Sequence, residues 1–165
     1  MRQADPRQTR PVRPFAPRDA DALGHIFFRA VREVASRAYS REQVEAWAIF
    51  PPPADLYMRK AADGRVLLVA VDDEDQPVAY ADLDPTGLID HLFCLPEAIG
   101  TGAAAALFVG LEDQARQWGL ARIFVEASEL ARPFFERRGF ANLGRNDFLM
   151  RGVPIHNYSM EKRLD

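Results

Sequence analysis

The chain is poor in sulfur, in lysine and in long apolar runs. Its single cysteine, Cys94, excludes an internal disulfide. No Cys/His cluster has the spacing of a metal site, so no metal is expected. No apolar run reaches the length of a membrane span, so no membrane partner is expected either. The opening MRQADPRQTR holds no hydrophobic stretch, which leads to the expectation of a cytoplasmic chain without a secretory leader. Strong charge of one sign is also missing: the formal net charge is −3, so a nucleic-acid role has no bulk electrostatic support. Of 21 basic residues only Lys60 and Lys162 are lysine. None follows Gly102, which argues against a P-loop, whose lysine and hydroxyl residue contact phosphates and magnesium.

What remains is an ordinary globular composition, and 165 residues suffice for one domain with a real core. Residues 1–165 are read as that single domain, with 1–8 as a flexible tail. Arg2, Arg7, Arg10, Arg13 and Arg18 crowd the start, but Pro6, Pro11, Pro14 and Pro17 oppose an amphipathic targeting helix. Thr9–Phe15 reads as a short edge strand. Leu23, Phe27, Ala30 and Val34 give one apolar face to a helix opened by Pro17. Ser40 and Gln43 form a capping box for a second helix that dies at Pro51-Pro52-Pro53. A third helix covers Ala54–Ala62 and stops at Asp63-Gly64. Strands follow over Val66–Val71, Val78–Leu83 and Leu88–Leu95, joined by polar turns. A long helix then buries Ala104, Phe108, Leu111, Ala115 and Trp118. Arg122–Ala127 is a strand reached by a helical crossover, hence parallel to the one ending at Leu95. A helix over Ala131–Arg138 and strands over Phe140–Met150 and Ile155–Lys162 close the chain. The class is α/β with a mixed sheet.

One segment carries most of the functional information. The strand ends at Pro96, and Gly100-Thr101-Gly102 then leads into a helix that begins on alanines. The first turn of a helix leaves its N–H groups unpaired and carries the positive end of the helix dipole. Glycine and alanine there let an anion come close to the backbone. The segment reads as an anion cradle, most plausibly for a pyrophosphate.

Three features resemble the GCN5-related N-acetyltransferase superfamily. Its loop signature is Gln or Arg, two residues, Gly, one residue, then Gly or Ala. Gly102 and Ala104 fit it, while Ile99 stands at the Gln/Arg position. Ala131–Phe140, ARPFFERRGF, resembles the family's helix before the penultimate strand. Asn157–Lys162, NYSMEK, resembles its closing strand. The resemblance implies a mostly antiparallel sheet with one parallel pair splayed around the cofactor. It implies acetyl-CoA as cofactor and acetyl transfer to the amine of a small molecule or peptide by direct attack, with a homodimer possible. By that analogy the backbone of Phe93, Cys94 and Leu95 holds the pantetheine arm. The amides of Gly100, Thr101, Gly102, Ala103 and Ala104 hold the pyrophosphate, with Ile99, Ser128, Phe134 and Phe135 also against the cofactor. Ser128 is equally well read as a helix cap.

Amide formation from a thioester needs a neutral amine, donors for the developing oxyanion and a tolerated leaving thiolate. Asp90 is the first candidate base, because a carboxylate inside an apolar strand is costly unless used or paired. The alternative is a salt bridge to an arginine. His91 and Glu126 are further candidates. The Cys94 or Leu95 N–H would serve the oxyanion. Cys94 as nucleophile is rejected, since a buried thiol without a histidine partner behaves as a small hydrophobe. Phe135 stands where many members carry an acidic tyrosine, so Tyr158 or Tyr80 is a candidate replacement. Tyr39, Trp47, Tyr80, Asp82, His156 and Tyr158 are candidates for the acceptor pocket. Two readings of other classes stay open: an acyl-CoA sensor without turnover, and a nucleotide-binding module.

Overall fold

The computed structural model describes residues 10–165, so the expected tail and the first residue of the expected edge strand lie outside it. In chain order it contains β1 (Val12–Pro14), α1 (Ala20–Arg29), α2 (Arg41–Trp47), α3 (Ala54–Ala62), β2 (Val66–Val71) and β3 (Pro77–Leu83). Then come β4 (Leu88–Ile89), β5 (Leu92–Cys94), α4 (Ala103–Gln117), β6 (Arg122–Ala127), α5 (Arg132–Glu136), β7 (Ala141–Met150) and β8 (Val153–Arg163).

The strands form two four-stranded sheets, in the orders β1-β2-β3-β5 and β4-β6-β8-β7. All pairs are antiparallel except β4 with β6, where Leu88 faces Phe124 and Ile89 faces Val125. The fold class is therefore the expected mixed α/β arrangement, with one difference that matters. Leu88–Leu95 is not one strand. It breaks at Asp90-His91 and changes sheets, because both of those amides donate to the side chain of Asp82 instead of to a strand. The parallel partner of β6 is thus β4 alone, and β5 leaves β6 behind.

Local signals explain most boundaries. Ser40 Oγ accepts the Gln43 N–H at 3.1 Å while Gln43 Oε1 accepts the Ser40 N–H at 2.8 Å, the expected capping box. The first helix is less regular than its periodicity suggested. Beyond Arg29 it widens into a π-helical turn over Ala30–Val34 and tightens into a 3₁₀ turn over Ala35–Arg37. Ala30 and Ala35 are both buried, and a five-residue spacing keeps them on one face only if the turn is widened. On α4 the buried stripe is Ala103, Leu107, Leu111 and Ala115 with Phe108. Ala104 lies at the edge of that stripe and Trp118, at the helix end, is 36% exposed. The main core packs α4 against both sheets, and a second cluster packs α1 and α3 on the other face of β2 and β3. Among the described residues no helix is long and apolar enough to cross a membrane.

Candidate active site

The break between β4 and β5 is built by a buried ion cluster. Asp82 is 0% exposed. Its Oδ1 accepts the Asp90 and His91 N–H groups at 3.0 and 2.8 Å. Its Oδ2 accepts Lys60 Nζ at 2.9 Å and Arg65 Nη1 at 3.1 Å. Lys60 Nζ also donates to Asp90 Oδ2 at 2.6 Å, with Arg65 Nη1 3.5 Å from the same oxygen. Asp82 was expected in the acceptor pocket. It sits instead beneath the break as a clamp, since a buried carboxylate must spend its lone pairs on donors. Tyr80 is likewise buried rather than on a pocket wall. Its hydroxyl is 3.1 Å from the Tyr57 hydroxyl and 2.8 Å from His91 Nδ1, and burial raises its pKa well above the ordinary value.

Two clefts flank the break. The first, about 270 Å³, is walled by Phe27, Tyr39, Trp47, Phe93, Phe148 and Ile155, and its polar lining includes Asp90, His91, Glu126, Ser128 and His156. Burial would raise the Asp90 pKa, but the Lys60 hydrogen bond and nearby cations outweigh it and hold it below the ordinary value. Burial, seconded by Lys60, pushes His91 down to about 4, so its imidazole is neutral near pH 7. Glu126 on β6 is exposed, and its Oε2 accepts from Asn146 Nδ2 at 2.8 Å and Ser159 Oγ at 2.9 Å. Among the described side chains it has no cationic partner.

A second network closes the far end of this cleft. Glu129 Oε2 accepts from His156 Nε2 at 2.6 Å and from the Tyr158 hydroxyl at 2.8 Å. The Tyr39 hydroxyl donates to the His156 carbonyl and accepts the Glu129 N–H, each at 2.8 Å. The Tyr158 proton is thus committed to Glu129, and Tyr158 does not line the cleft. Glu129 escaped sequence reasoning altogether. Its only local signal is Ser128 before a helix, which gives no hint of partners nearly thirty residues downstream.

The second cleft, about 300 Å³, lies on the other side of β5 and is lined by Val31, Cys94, Ile99, Ala104, Leu130 and Phe134, among others. It shares Trp47, Leu92, Phe93, Ser128 and Ala131 with the first, so the two meet where β5 parts from the end of β6. β5 is an edge strand, and its ladder decides which backbone groups are free. The Leu95 N–H donates to the Val78 carbonyl at 2.9 Å, and Phe93 pairs with Tyr80. By the alternation of an antiparallel ladder, the outward groups are those of Leu92 and Cys94. Of the expected backbone set only Cys94 therefore presents its amide to the cleft. Burial pushes the Cys94 thiol up to about 11, which suits a wall residue and not a nucleophile.

Past β5, a 3₁₀ turn over Pro96–Ala98 leads into the glycine loop. Gly100 and Gly102 have φ of +78° and +85°, and a Cβ at either would meet nothing within 4 Å. The loop thus curls around open space. The Thr101 N–H is bound to the Ala98 carbonyl at 3.3 Å, so it is not available as expected. The first helical bond is Ala106 N–H to the Gly102 carbonyl at 3.0 Å. This leaves the Gly102, Ala103, Ala104 and Ala105 amides, with that of Gly100, unpaired among the described residues. Ile99, 45% exposed, edges the second cleft without blocking it. Ser128 is both cap and wall: its Oγ accepts the Ala131 N–H at 3.2 Å, and it lines both clefts. Phe135 is buried among Phe108, Phe134 and Phe140 and forms part of the first cleft's floor.

The arrangement fits a long, anionic-ended ligand along the second cleft and a small one in the first. The family described as Acetyltransferase (GNAT) domain matches residues 35–162. YafP of Escherichia coli K12, an uncharacterized N-acetyltransferase, is 33% identical over 149 residues, covering 90% of this chain and 93% of its own. The crystal structure of a GCN5-related N-acetyltransferase from Rhodopseudomonas palustris superposes with a TM-score of 0.82 at 31% identity, over 95% of this chain and 97% of that one. At 14% identity, the PaiA N-acetyltransferase of Thermoplasma acidophilum, crystallised with coenzyme A, shares the fold with a TM-score of 0.77, over 95% of this chain and all of its own. The chain belongs to the GNAT family of acetyltransferases.

Proposed function

We propose that this protein transfers acetyl from acetyl-CoA to a primary amine by direct attack within a ternary complex. The observation that carries the reading is the meeting of two clefts between β5 and the end of β6, one of them reaching a loop of unpaired amides. Bound acetyl-CoA would supply an acyl carbon already activated as a thioester. The Gly100, Gly102, Ala103 and Ala104 amides would hold its diphosphate, and the outward edge of Leu92 and Cys94 its pantetheine arm. The Cys94 N–H is then the donor placed for the oxyanion. The amine enters the first cleft as an ammonium ion. Glu126 is the carboxylate there with no cation on it, and so the group best able to take up the proton. Asp90, tied to Lys60 and Arg65, is a weaker base and fixes the break. Phe135 can donate no proton. The hydroxyl common to both clefts belongs to Ser128, whose oxygen is occupied by Ala131 and whose proton is left to face the cleft.

The test is a thiol-release assay with an amine panel alongside calorimetry of acetyl-CoA binding. Gly102→Val should weaken acetyl-CoA binding by about tenfold or more, by crowding the amides and straining a left-handed position. A melting curve controls for folding, and unchanged affinity in a folded variant overturns the cradle. Glu126→Gln should lower turnover by about 10²-fold while leaving acetyl-CoA affinity intact. Binding with no turnover for any amine would favour the sensing alternative.

A further inference from the structure

The wall of the first cleft is unusual in what it excludes. The chain carries 21 lysine and arginine residues, yet none of the described residues lining this cleft is either. The cations behind the wall are already spent. Lys60 and Arg65 are held by Asp82 and Asp90, Arg132 by Glu129 and Glu136, and Arg145 by Asp147. Among the described residues the carboxylates that face the cleft are Asp90 and Glu126, with His91 neutral beside them and the His156 ring held by Glu129. The rest of the lining includes rings and aliphatic groups: Phe27, Trp47, Phe93, Phe148, Met150 and Ile155.

We infer that the acceptor is a monocationic amine on an apolar, preferably aromatic, body with no carboxylate or phosphate of its own. This rests on the acetyl-transfer reading and names the acceptor class within it. One ammonium is matched by Glu126 and by the negative side of the Asp90 cluster. The remainder of the molecule meets apolar surface, where ring stacking and area burial hold it. A free amino acid would bring its carboxylate against Glu126 and Asp90 with no lysine or arginine among the described lining residues to receive it. A polyamine would have to leave its second ammonium on apolar lining, because among the described lining residues only Asp90 and Glu126 carry carboxylates. Phe148 lies on the outer strand β7 and is 37% exposed, so this wall can be changed without opening the core.

The experiment compares 2-phenylethylamine with phenylalanine, which differs only by the carboxylate, and with spermidine. Both thiol release and calorimetric binding to the CoA-loaded protein are read. 2-Phenylethylamine should surpass each of the others by about tenfold or more. Phe148→Arg should narrow the gap to phenylalanine by raising phenylalanine affinity, a gain that a misfolded variant cannot show. Equal or better binding of phenylalanine or spermidine, or no binding of 2-phenylethylamine, overturns the inference. Failure of every amine to release thiol would instead sink the acetyl-transfer reading, and the calorimetric ranking would still decide what the cleft prefers.

Discussion

Asp82 and His91 share one hydrogen-bonded junction, and each gives a measurable prediction. Asp82 binds two amides, an ammonium and a guanidinium from a site without solvent. Removing one member of a buried ionic set strands the others, which costs about 3–5 kcal/mol. Asp82→Ala should therefore lower the unfolding free energy by about that amount in a denaturant titration. A loss under about 1 kcal/mol would mean that the cluster is not what holds the break. His91 reports on pH. In the folded protein it stays neutral down to about 4, whereas the unfolded chain protonates near 6.5. Between those values the unfolded state binds the extra proton, so stability falls as pH drops through that window. His91→Gln should shrink the fall in melting temperature between about pH 7 and about pH 5; an identical slope would place the titration elsewhere. Neither role was visible in the sequence. Asp82 lies 22 residues from Lys60, and nothing in the pattern of β3 says that its carboxylate turns inward.

Helices and strands were more legible. Ser40 with Gln43, the stop at Gly119 and the polar turns between strands act over a few residues, and the boundaries they set are the observed ones within a residue or two. The break at Asp90-His91 was not legible, because local periodicity says where a strand exists and not which sheet holds it. Packing of α1 leads to a further prediction. A Cβ on Gly24 would lie far inside contact distance of the Pro52 carbonyl oxygen. Alanine gains about 1 kcal/mol in a helix over glycine, but forcing α1 away from the Pro51-Pro52 turn costs about 1–3 kcal/mol or more. Gly24→Ala should thus lower the denaturation midpoint. A rise would show that the turn after α2 yields freely to α1.

Taken as one body, the protein has a small negative net charge and a cleft with no lysine or arginine among its described lining residues. Under the proposed acetyl transfer, an ammonium acceptor would be drawn to such a cleft partly by long-range attraction, which salt screens. The KM for 2-phenylethylamine should rise about two- to fivefold between about 50 mM and about 500 mM NaCl. Glu126→Gln should flatten that rise, and a salt-independent KM would remove electrostatics from acceptor binding. Composition and local pattern were enough to set the α/β class, the order of most elements and the unpaired amides of the glycine loop. All three rest on contacts within a few residues: caps, turns, side-chain period and the orphan amides of a helix start. The two clefts, the commitment of Asp82, Tyr80 and Tyr158 to partners distant in sequence, and the pairing of Glu129 with His156 came only with the folded chain. Those depend on which distant charges and ring faces are brought together once the sheets split, and the energy of such a pair is fixed by burial and distance rather than by position along the chain.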